Sequence, residues 1–319
     1  MGLVGTIIWF IFTALSVIYL LVFFALSAYK KFFSTNTAKI PQQSIPTPKP
    51  VTSGEITENL RLDGGTTGSL LECGSLVAGY SIHIGGRKYQ EDSVKLAPIN
   101  DGGFLAAVCD GMGGLKMGAE VSSLASERLL AYAQNISSSA DVAGSLRQAA
   151  IDTDLDIVDY CAPEGVKAGT TAVAALVFDN TAYWLSVGDS RIYLLRNHEL
   201  FPVTRDHNYA LELQQLLDAG EITQQQVMSV ERPDALISFL GMGGLALVDV
   251  GKITLGSGDA LLLCSDGLTK ALSDSEIAQM LDSFTSNVLA CAEALATSAL
   301  QRGGERQDNT TVIVIRNMG

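Results

Sequence analysis

FLAAVCDG, residues 104–111, is an apolar run that stops at Asp110 and turns on Gly111. A run of that length bounded by a turn pair reads as a strand buried on both faces. The arrangement recurs around three further acids: Asp189 in YWLSVGDS, Asp266 in LLLCSDG, and Asp308, which opens the strand QDNTTVIVI. A carboxylate at the end of a buried strand is rigidly held and has few cations nearby in sequence. Asp-Gly and Asp-Ser are also ordinary turn pairs, and a single one would mean no more than a turn. Four on comparable strand ends, brought to one edge of a sheet, make a concentrated negative site. Oxygen donors of this kind suit Mg²⁺ or Mn²⁺ rather than zinc.

The composition agrees. Net charge is −13 and the pI about 4.6, which argues against a nucleic-acid partner held by a basic surface. The cysteines (Cys73, Cys109, Cys161, Cys264, Cys291) are odd in number and widely spaced, with no C-x-x-C pair. Neither a zinc site nor a disulfide framework is indicated, and a reducing compartment fits.

The mean hydropathy is positive, and its source is local. Residues 3–28, LVGTIIWFIFTALSVIYLLVFFALSA, carry no charge and are long enough to cross a bilayer as a helix. A signal peptide would have a basic leader and a shorter apolar core, although Ala25-Leu26-Ser27 leaves a weak cleavage signal open. Lys30 and Lys31 follow the span and nothing basic precedes it. The positive-inside bias then keeps the rest of the chain cytoplasmic, on a single-pass anchor of residues 1–29 in the inner membrane. Residues 30–74 read as a tether: Pro41, Pro46, Pro48 and Pro50 stand among Ser, Thr and Gln. Within it, 59–74 is Gly- and Thr-rich and reads either as more linker or as a first edge strand.

Residues 75–319 read as one folded domain, close to the upper size for a single core. Tyr80, Ile82 and Ile84 alternate as in a half-buried strand. Val121, Leu124, Ala125, Leu129 and Tyr132 share a helical face, and a second helix is predicted over 141–159. TAVAALVFD and AYWLSVG form a hairpin across Asn180-Thr181, followed by the strand RIYLL. A helical, Gln-rich stretch (208–227) and a poorly patterned segment to about 244 come next. Strands at 246–254 and 259–264, helices at 274–282 and 286–302, and a strand at 309–316 complete the chain. Strands clustering with helix pairs between them predict an α+β domain with a largely antiparallel sheet or sandwich.

These residues also carry a resemblance. The chain resembles the bacterial form of the metal-dependent protein serine/threonine phosphatases, the PPM or type 2C family. The matching segments, in order, are GGRKYQEDS (85–93), VCDGMGG (108–114), AGTTA (168–172), VGDSRIYL (187–194), TRDH (204–207), CSDGL (264–268) and QDNTTVIVI (307–315). Each is weak alone; their order and spacing are specific. The resemblance implies a central antiparallel β-sandwich flanked by helices, with two metal ions in a cleft at one end.

It also implies roles. Asp110 would bridge the two metals, the Gly111 carbonyl would complete one shell, and Asp266 and Asp308 would hold the other metal. Glu91 and Asp92 would bind the metals or their waters, and Arg87 would clamp the substrate phosphate. An aspartate can span two hard cations ~3.5–4 Å apart, and a water activated between them attacks phosphorus in line. Arginine suits the phosphate because its planar fork makes two parallel charge-assisted bonds. No cysteine nucleophile is needed.

Two departures from the family pattern stand out. Met112 follows Asp110-Gly111 where eukaryotic relatives commonly carry His, so a histidine there is not the general acid. Lys270 stands where many relatives carry an acid that, with the equivalent of Asp189, helps hold a third metal. Third-metal binding at Asp189 is thereby put in question. Lys270 either sits in the acidic cluster or points to water.

Other residues have plainer readings. Arg191 is expected to pair with a nearby acid and stabilise a turn. Thr170 and Thr171 need nothing beyond β-propensity. GMGG at 241–244 reads as a flexible turn, and His207 as structural. The function implied is metal-dependent hydrolysis of phosphoserine and phosphothreonine in proteins, opposing a serine/threonine kinase at the membrane face. Two alternatives stay open: a catalytically weak domain that binds phosphoproteins or a regulator, and a hydrolase of a small phosphoester.

Overall fold

The structure, a computed structural model, describes residues 57–62, 66–113, 116–138 and 140–319. The proposed membrane span and most of the proposed tether lie outside these residues. Among the described residues no helix is long and apolar enough to cross a membrane.

The chain begins with β1 (Thr57–Leu62), β2 (Thr66–Cys73), β3 (Leu76–His83), β4 (Asp92–Pro98) and β5 (Phe104–Met112). Helices α1 (Lys116–Ala133) and α2 (Val142–Cys161) follow, then β6 (Gly169–Thr170), β7 (Ala172–Phe178), β8 (Thr181–Val187), β9 (Arg191–Arg196) and β10 (Glu199–Pro202). After α3 (Tyr209–Asp218) and α4 (Gln224–Met228) come β11 (Asp249–Thr254) and β12 (Ala260–Cys264). The one-turn α5 (Asp266–Thr269), α6 (Asp274–Ser283), α7 (Val288–Gly303) and β13 (Thr310–Asn317) end the fold.

One sheet runs β1-β2-β3-β13-β12-β9-β10 and the other β11-β8-β7-β5-β4, with β6 paired to β5 at its end. The strand pairs are antiparallel. The sheets stack face to face, and their burial explains why β5 is continuously apolar. Phe104, Ala106 and Val108 point between the sheets toward Leu261, Leu263, Ile313 and Ile315. The alternate residues Leu105, Ala107 and Cys109 point the other way, against Val121, Ala125 and Leu129 of α1 and Leu146 and Ile157 of α2. On the outer face of the first sheet, Leu262, Cys264, Val312 and Val314 meet Ile277, Leu281, Cys291 and Leu295 of α6 and α7. The result is a helix–sheet–sheet–helix sandwich with three apolar layers. Each fully buried Leu or Ile contributes roughly 1.5–3 kcal/mol. Helix ends are closed locally: Ser273 and Glu276 form a reciprocal capping box on α6.

Three local features sharpen the sequence reading. Of the two readings of 59–74, the strand reading holds for the described residues, against the linker boundary at 74: β2 pairs with β3 from Thr67↔Ile82 to Cys73↔Leu76, and β1 pairs with β2. The folded body therefore begins before residue 75. The Gln-rich stretch is helical as expected, in two pieces, because Gly220, at φ +74, ends the first. Strand β4 was not foreseen. Its Val94 and Leu96 pack between the sheets while Lys95 reaches Glu127, a short and weak alternation.

Candidate active site

The strand ends that carry the acids meet at one end of the sandwich. Asp92 opens β4 directly opposite Asp110 near the end of β5. Like charges placed across a strand pair repel. Asp266 starts α5 just after β12, Asp308 precedes β13, and β12 and β13 are paired neighbours. Asp189 lies in the turn between β8 and β9, where Gly188 has φ +104. The convergence expected from sequence is present.

The carboxylates are poorly satisfied. Asp92 is buried, and its Oδ2 accepts from Ser265 Oγ at 2.8 Å and Thr311 Oγ1 at 2.7 Å. Its Oδ1 has no partner, and neither do Glu91 Oε1 and Asp266 Oδ1, although all three atoms are buried. Burial, reinforced by Asp92, Asp266, Asp189 and Asp308, pushes the Asp110 carboxyl well above the usual carboxylate range. Burial drives Asp92 up to about 7 against the pull of Thr311 and Ser265, with Asp266 and Asp308 adding to the rise. Burial and then Asp266 raise Asp189 to about 6. Glu91 is raised by burial, with Arg87 pulling the other way. Negative charge is expensive here without a cation.

Two side chains supply some of that cation. Arg87 Nη2 donates to Asp308 Oδ2 at 2.8 Å from an exposed position. Lys270 Nζ pairs with Asp266 Oδ2 and stands 3.8 Å from Asp308 Oδ2. Burial works against the Lys270 ammonium, but Asp266, Asp308 and Asp189 outweigh it and hold its pKa above the usual range. Of its two readings, Lys270 sits in the cluster. Among the described residues no three acids close around a common ligating point as they stand, and Lys270 and Arg87 pair with Asp266 and Asp308. The donor set still fits hard divalent cations: it is all oxygen, and three buried oxygens have nothing else to bind.

A layer of neutral residues fixes these acids, and sequence reasoning passed over it. Thr171 Oγ1 accepts from the Asp110 backbone N–H at 3.1 Å, while Thr170 Oγ1 and the Thr171 N–H each donate to the Asp110 carbonyl at 2.9 Å. The threonines of AGTTA thus do more than favour a strand. Asn309 accepts from the Glu91 N–H at 2.7 Å and donates to the carbonyls of Ile84 and Tyr89, tying the loop that carries Arg87 and Glu91 to β13. Gln307 donates to the Gly267 carbonyl at 2.7 Å. The signal was available, since both amides flank Asp308 in QDN. Gly111 is required by crowding: a Cβ there would lie 2.1 Å from the Gly118 carbonyl oxygen.

Other expectations are settled by geometry. Arg191 forks onto Asp206 with two bonds of 2.8 Å, as expected. His207 is fully buried, its Nδ1 accepting from the Gly188 N–H and its Nε2 facing Asp249, so it is structural. GMGG is not a loose turn: the N–H groups of Gly241, Met242 and Gly243 donate to Asp154 at 2.7, 2.9 and 3.2 Å. Burial first, then Asp92 and Asp110, raise the Cys109 thiol, away from the thiolate form a nucleophile needs.

A two-sheet sandwich flanked by helices, with carboxylates converging at one end of its strands, defines a PPM-type phosphatase fold. Residues 79–302 match the family Protein phosphatase 2C. The serine/threonine phosphatase Stp of Listeria monocytogenes is 34% identical over 237 residues, 72% of this chain and 90% of that one. The solved serine/threonine phosphatase PstP/Ppp of Mycobacterium tuberculosis matches with a TM-score of 0.65 at 31% identity, covering 76% of this chain and 99% of its own. The catalytic domain of the serine/threonine protein phosphatase PstP in complex with two manganese ions matches at 0.62 and 31% identity, over 76% of this chain and 97% of that one. The chain belongs to the protein phosphatase 2C family.

Proposed function

We propose that the protein hydrolyses phosphoserine and phosphothreonine esters on proteins, with two Mn²⁺ or Mg²⁺ ions held around Asp110. The carrying observation is the set of three buried, unpartnered carboxylate oxygens, on Glu91, Asp92 and Asp266, in a chain of this family. Asp110 would be shared by the two ions, with the Gly111 carbonyl beside it; Asp266 and Asp308 would be further ligands, and Glu91 and Asp92 would hold metal or water. Bound there, the ions supply the Lewis acidity that activates water near neutral pH and offsets charge on the phosphoryl group. Arg87, exposed at the rim, leaves Asp308 and forks onto the substrate phosphate. Thr170 and Thr171 keep Asp110 in register through its backbone. Lys270, beside Asp266 and near Asp189, supplies the charge that a third cation would bring, so any third ion at Asp189 would compete with it. The phosphatase names and the manganese complex among the relatives support this reading.

A second reading is favoured by one observation. Because Lys270 already holds Asp266, metal occupancy could be low enough to leave a phosphoprotein-binding or regulatory module. Hydrolysis of a phosphothreonine peptide and of p-nitrophenyl phosphate by the full-length chain in detergent, with Mn²⁺ or EDTA, tests the choice. Turnover of the peptide with Mn²⁺ and none with EDTA supports the phosphatase. Peptide binding without turnover supports the module, and turnover of only the small ester supports a small-phosphoester hydrolase. Arg87→Ala is expected to raise KM for the peptide, with only partial rescue by Arg87→Lys, since an ammonium lacks the fork.

Residues 3–28 are proposed to anchor the enzyme in the inner membrane with its domain in the cytoplasm, opposing a serine/threonine kinase there. Retention in the membrane through carbonate washing, with the domain cleaved by protease only from the cytoplasmic side, is the expected outcome. A soluble exported form starting near residue 28 would establish a cleaved signal peptide instead.

A further inference from the structure

The buried carboxylate of Asp154, on α2, lies outside the acidic cleft and has no part in the chemistry above. Its Oδ1 collects three consecutive backbone N–H groups, from Gly241, Met242 and Gly243. Gly241 and Gly243 have φ of +101 and +78, which turn these N–H groups toward one point. Such a concave run of N–H groups is an anion nest, and here the chain fills it with its own carboxylate. A side chain at 241 is also barred by space, since a Cβ would lie 2.6 Å from the Ala168 carbonyl oxygen.

The loop so held is tied to the reaction centre. Leu240, directly before the nest and fully buried, exchanges two backbone bonds with Thr170: Thr170 N–H to the Leu240 carbonyl at 3.0 Å, and Leu240 N–H to the Thr170 carbonyl at 2.9 Å. Thr170 then donates through Oγ1 to the Asp110 carbonyl, and the adjacent Thr171 bonds both the N–H and the carbonyl of Asp110. Asp154, the 241–243 nest, Leu240, Thr170 and Asp110 are thus linked by consecutive contacts or chain neighbours.

We propose that Asp154 is a positioning residue for Asp110. It holds the 240–243 loop against β6, and β6 holds the end of β5 on which Asp110 is carried. The inference rests on the phosphatase reading, because it assigns Asp154 an effect on that reaction. Without the carboxylate, three N–H groups converge on nothing, the loop relaxes and the Leu240–Thr170 bridge loosens. Asp110 then shifts against its partner ligands. A misplacement of about 1 Å at a reacting centre can cost on the order of 10²-fold.

The test compares the full-length chain with Asp154→Ala, Asp154→Asn and Leu146→Ala, the last emptying part of the same helix's apolar contact without touching the 240–243 loop's hydrogen bonds. For each, kcat and KM on a phosphothreonine peptide, Mn²⁺ affinity by calorimetry and Tm are measured. Asp154→Ala is expected to lower kcat by roughly 10- to 100-fold with little change in KM. It is also expected to weaken Mn²⁺ binding several-fold, while Leu146→Ala with a comparable loss of Tm keeps both. Asp154→Asn, which keeps an acceptor oxygen but not the charge, falls between. A folded Asp154→Ala protein with the kcat and Mn²⁺ affinity of the Leu146→Ala control would show that the tie is structural only. Should the alanine variant not fold, an asparagine variant matching wild type in kcat and Mn²⁺ affinity would equally overturn the proposal. Absence of peptide turnover by the wild type overturns the phosphatase reading itself, while its Mn²⁺ calorimetry still separates the variants.

Discussion

Two groups of aspartates sit a short way apart and fare oppositely. Asp206 and Asp249 each have an arginine: Arg191 forks onto the first, and Arg205 with His207 donates to the second. Burial works to raise Asp249, yet the bonds from Arg205 and His207 outweigh it and leave its pKa lowered. Asp92, Asp110 and Asp189 lie in the neighbouring cleft and are raised, because burial and mutual repulsion meet too little positive charge. The first group is architecture and closes its own electrostatics. The second is left short of cation, and that shortage is its capacity to bind one. Burial together with the charge of the neighbours separates the two roles.

The contrast breaks most readily at Asp110. Asp110→Asn removes the charge shared between both proposed ions, and peptide hydrolysis in saturating Mn²⁺ is expected to fall at least ~10²-fold. The same change relieves repulsion with Asp92, so the metal-free variant should melt no lower than wild type. Activity within a few-fold of wild type would remove the two-metal reading.

Arg191→Met probes the satisfied group. It strands the Asp206 carboxylate, and the loss of charged hydrogen bonds should cost about 2 kcal/mol. In a domain of this size that is a fall in Tm of roughly 4–8 °C. Because Asp206 lies outside the proposed ligand set, a Mn²⁺ titration of activity should keep its midpoint. A large shift in that midpoint would mean the two groups are one electrostatic unit.

Lys270→Asp returns the carboxylate that many family members carry. Replacing a cation with an anion beside Asp266 should move the Mn²⁺ midpoint to lower concentration by several-fold, after screening in an open cleft. An unaltered titration would show that Lys270 swings clear of the ions without competing.

The smallest effect is in pH. Asp92 has a folded pKa of about 7, above its ordinary 3.8, so below 7 the folded state holds a proton that the unfolded state releases. That stability is lost as pH rises through about 7. The metal-free protein should therefore be more stable at pH 6 than at pH 8 by about 1 kcal/mol, seen as a modest rise in Tm. With Mn²⁺ present the sign should reverse, because the ions bind the ionised carboxylates. A metal-free Tm that climbs from pH 6 to pH 8 would show that the cleft acids are already paid for by cations.

The sequence by itself determined the strands and the acids at their ends. An apolar run that stops at Asp110 or Asp266 is a local pattern, and a strand buried on both faces needs no information from far along the chain. The order and spacing of seven short motifs determined the family for the same reason. Weaker local patterns failed: β4 is short with half-buried alternation, and β2 opens on Thr, Thr, Gly and Ser, so the pairing of β1 to β2 and of β2 to β3 shows only in the sheet. Tertiary structure alone decided which acids are satisfied. Arg196 reaches Asp259 across 63 positions, Arg87 reaches Asp308 across 221, and Asp154 finds Gly241 across 87. Hydrogen bonds and ion pairs act over a few ångströms, and separation along the chain says nothing about distance in the fold. That is why Thr170, Thr171 and Asn309 read as ordinary residues until the sandwich placed them against Asp110 and Glu91, and Asp154 until it met the 241–243 loop.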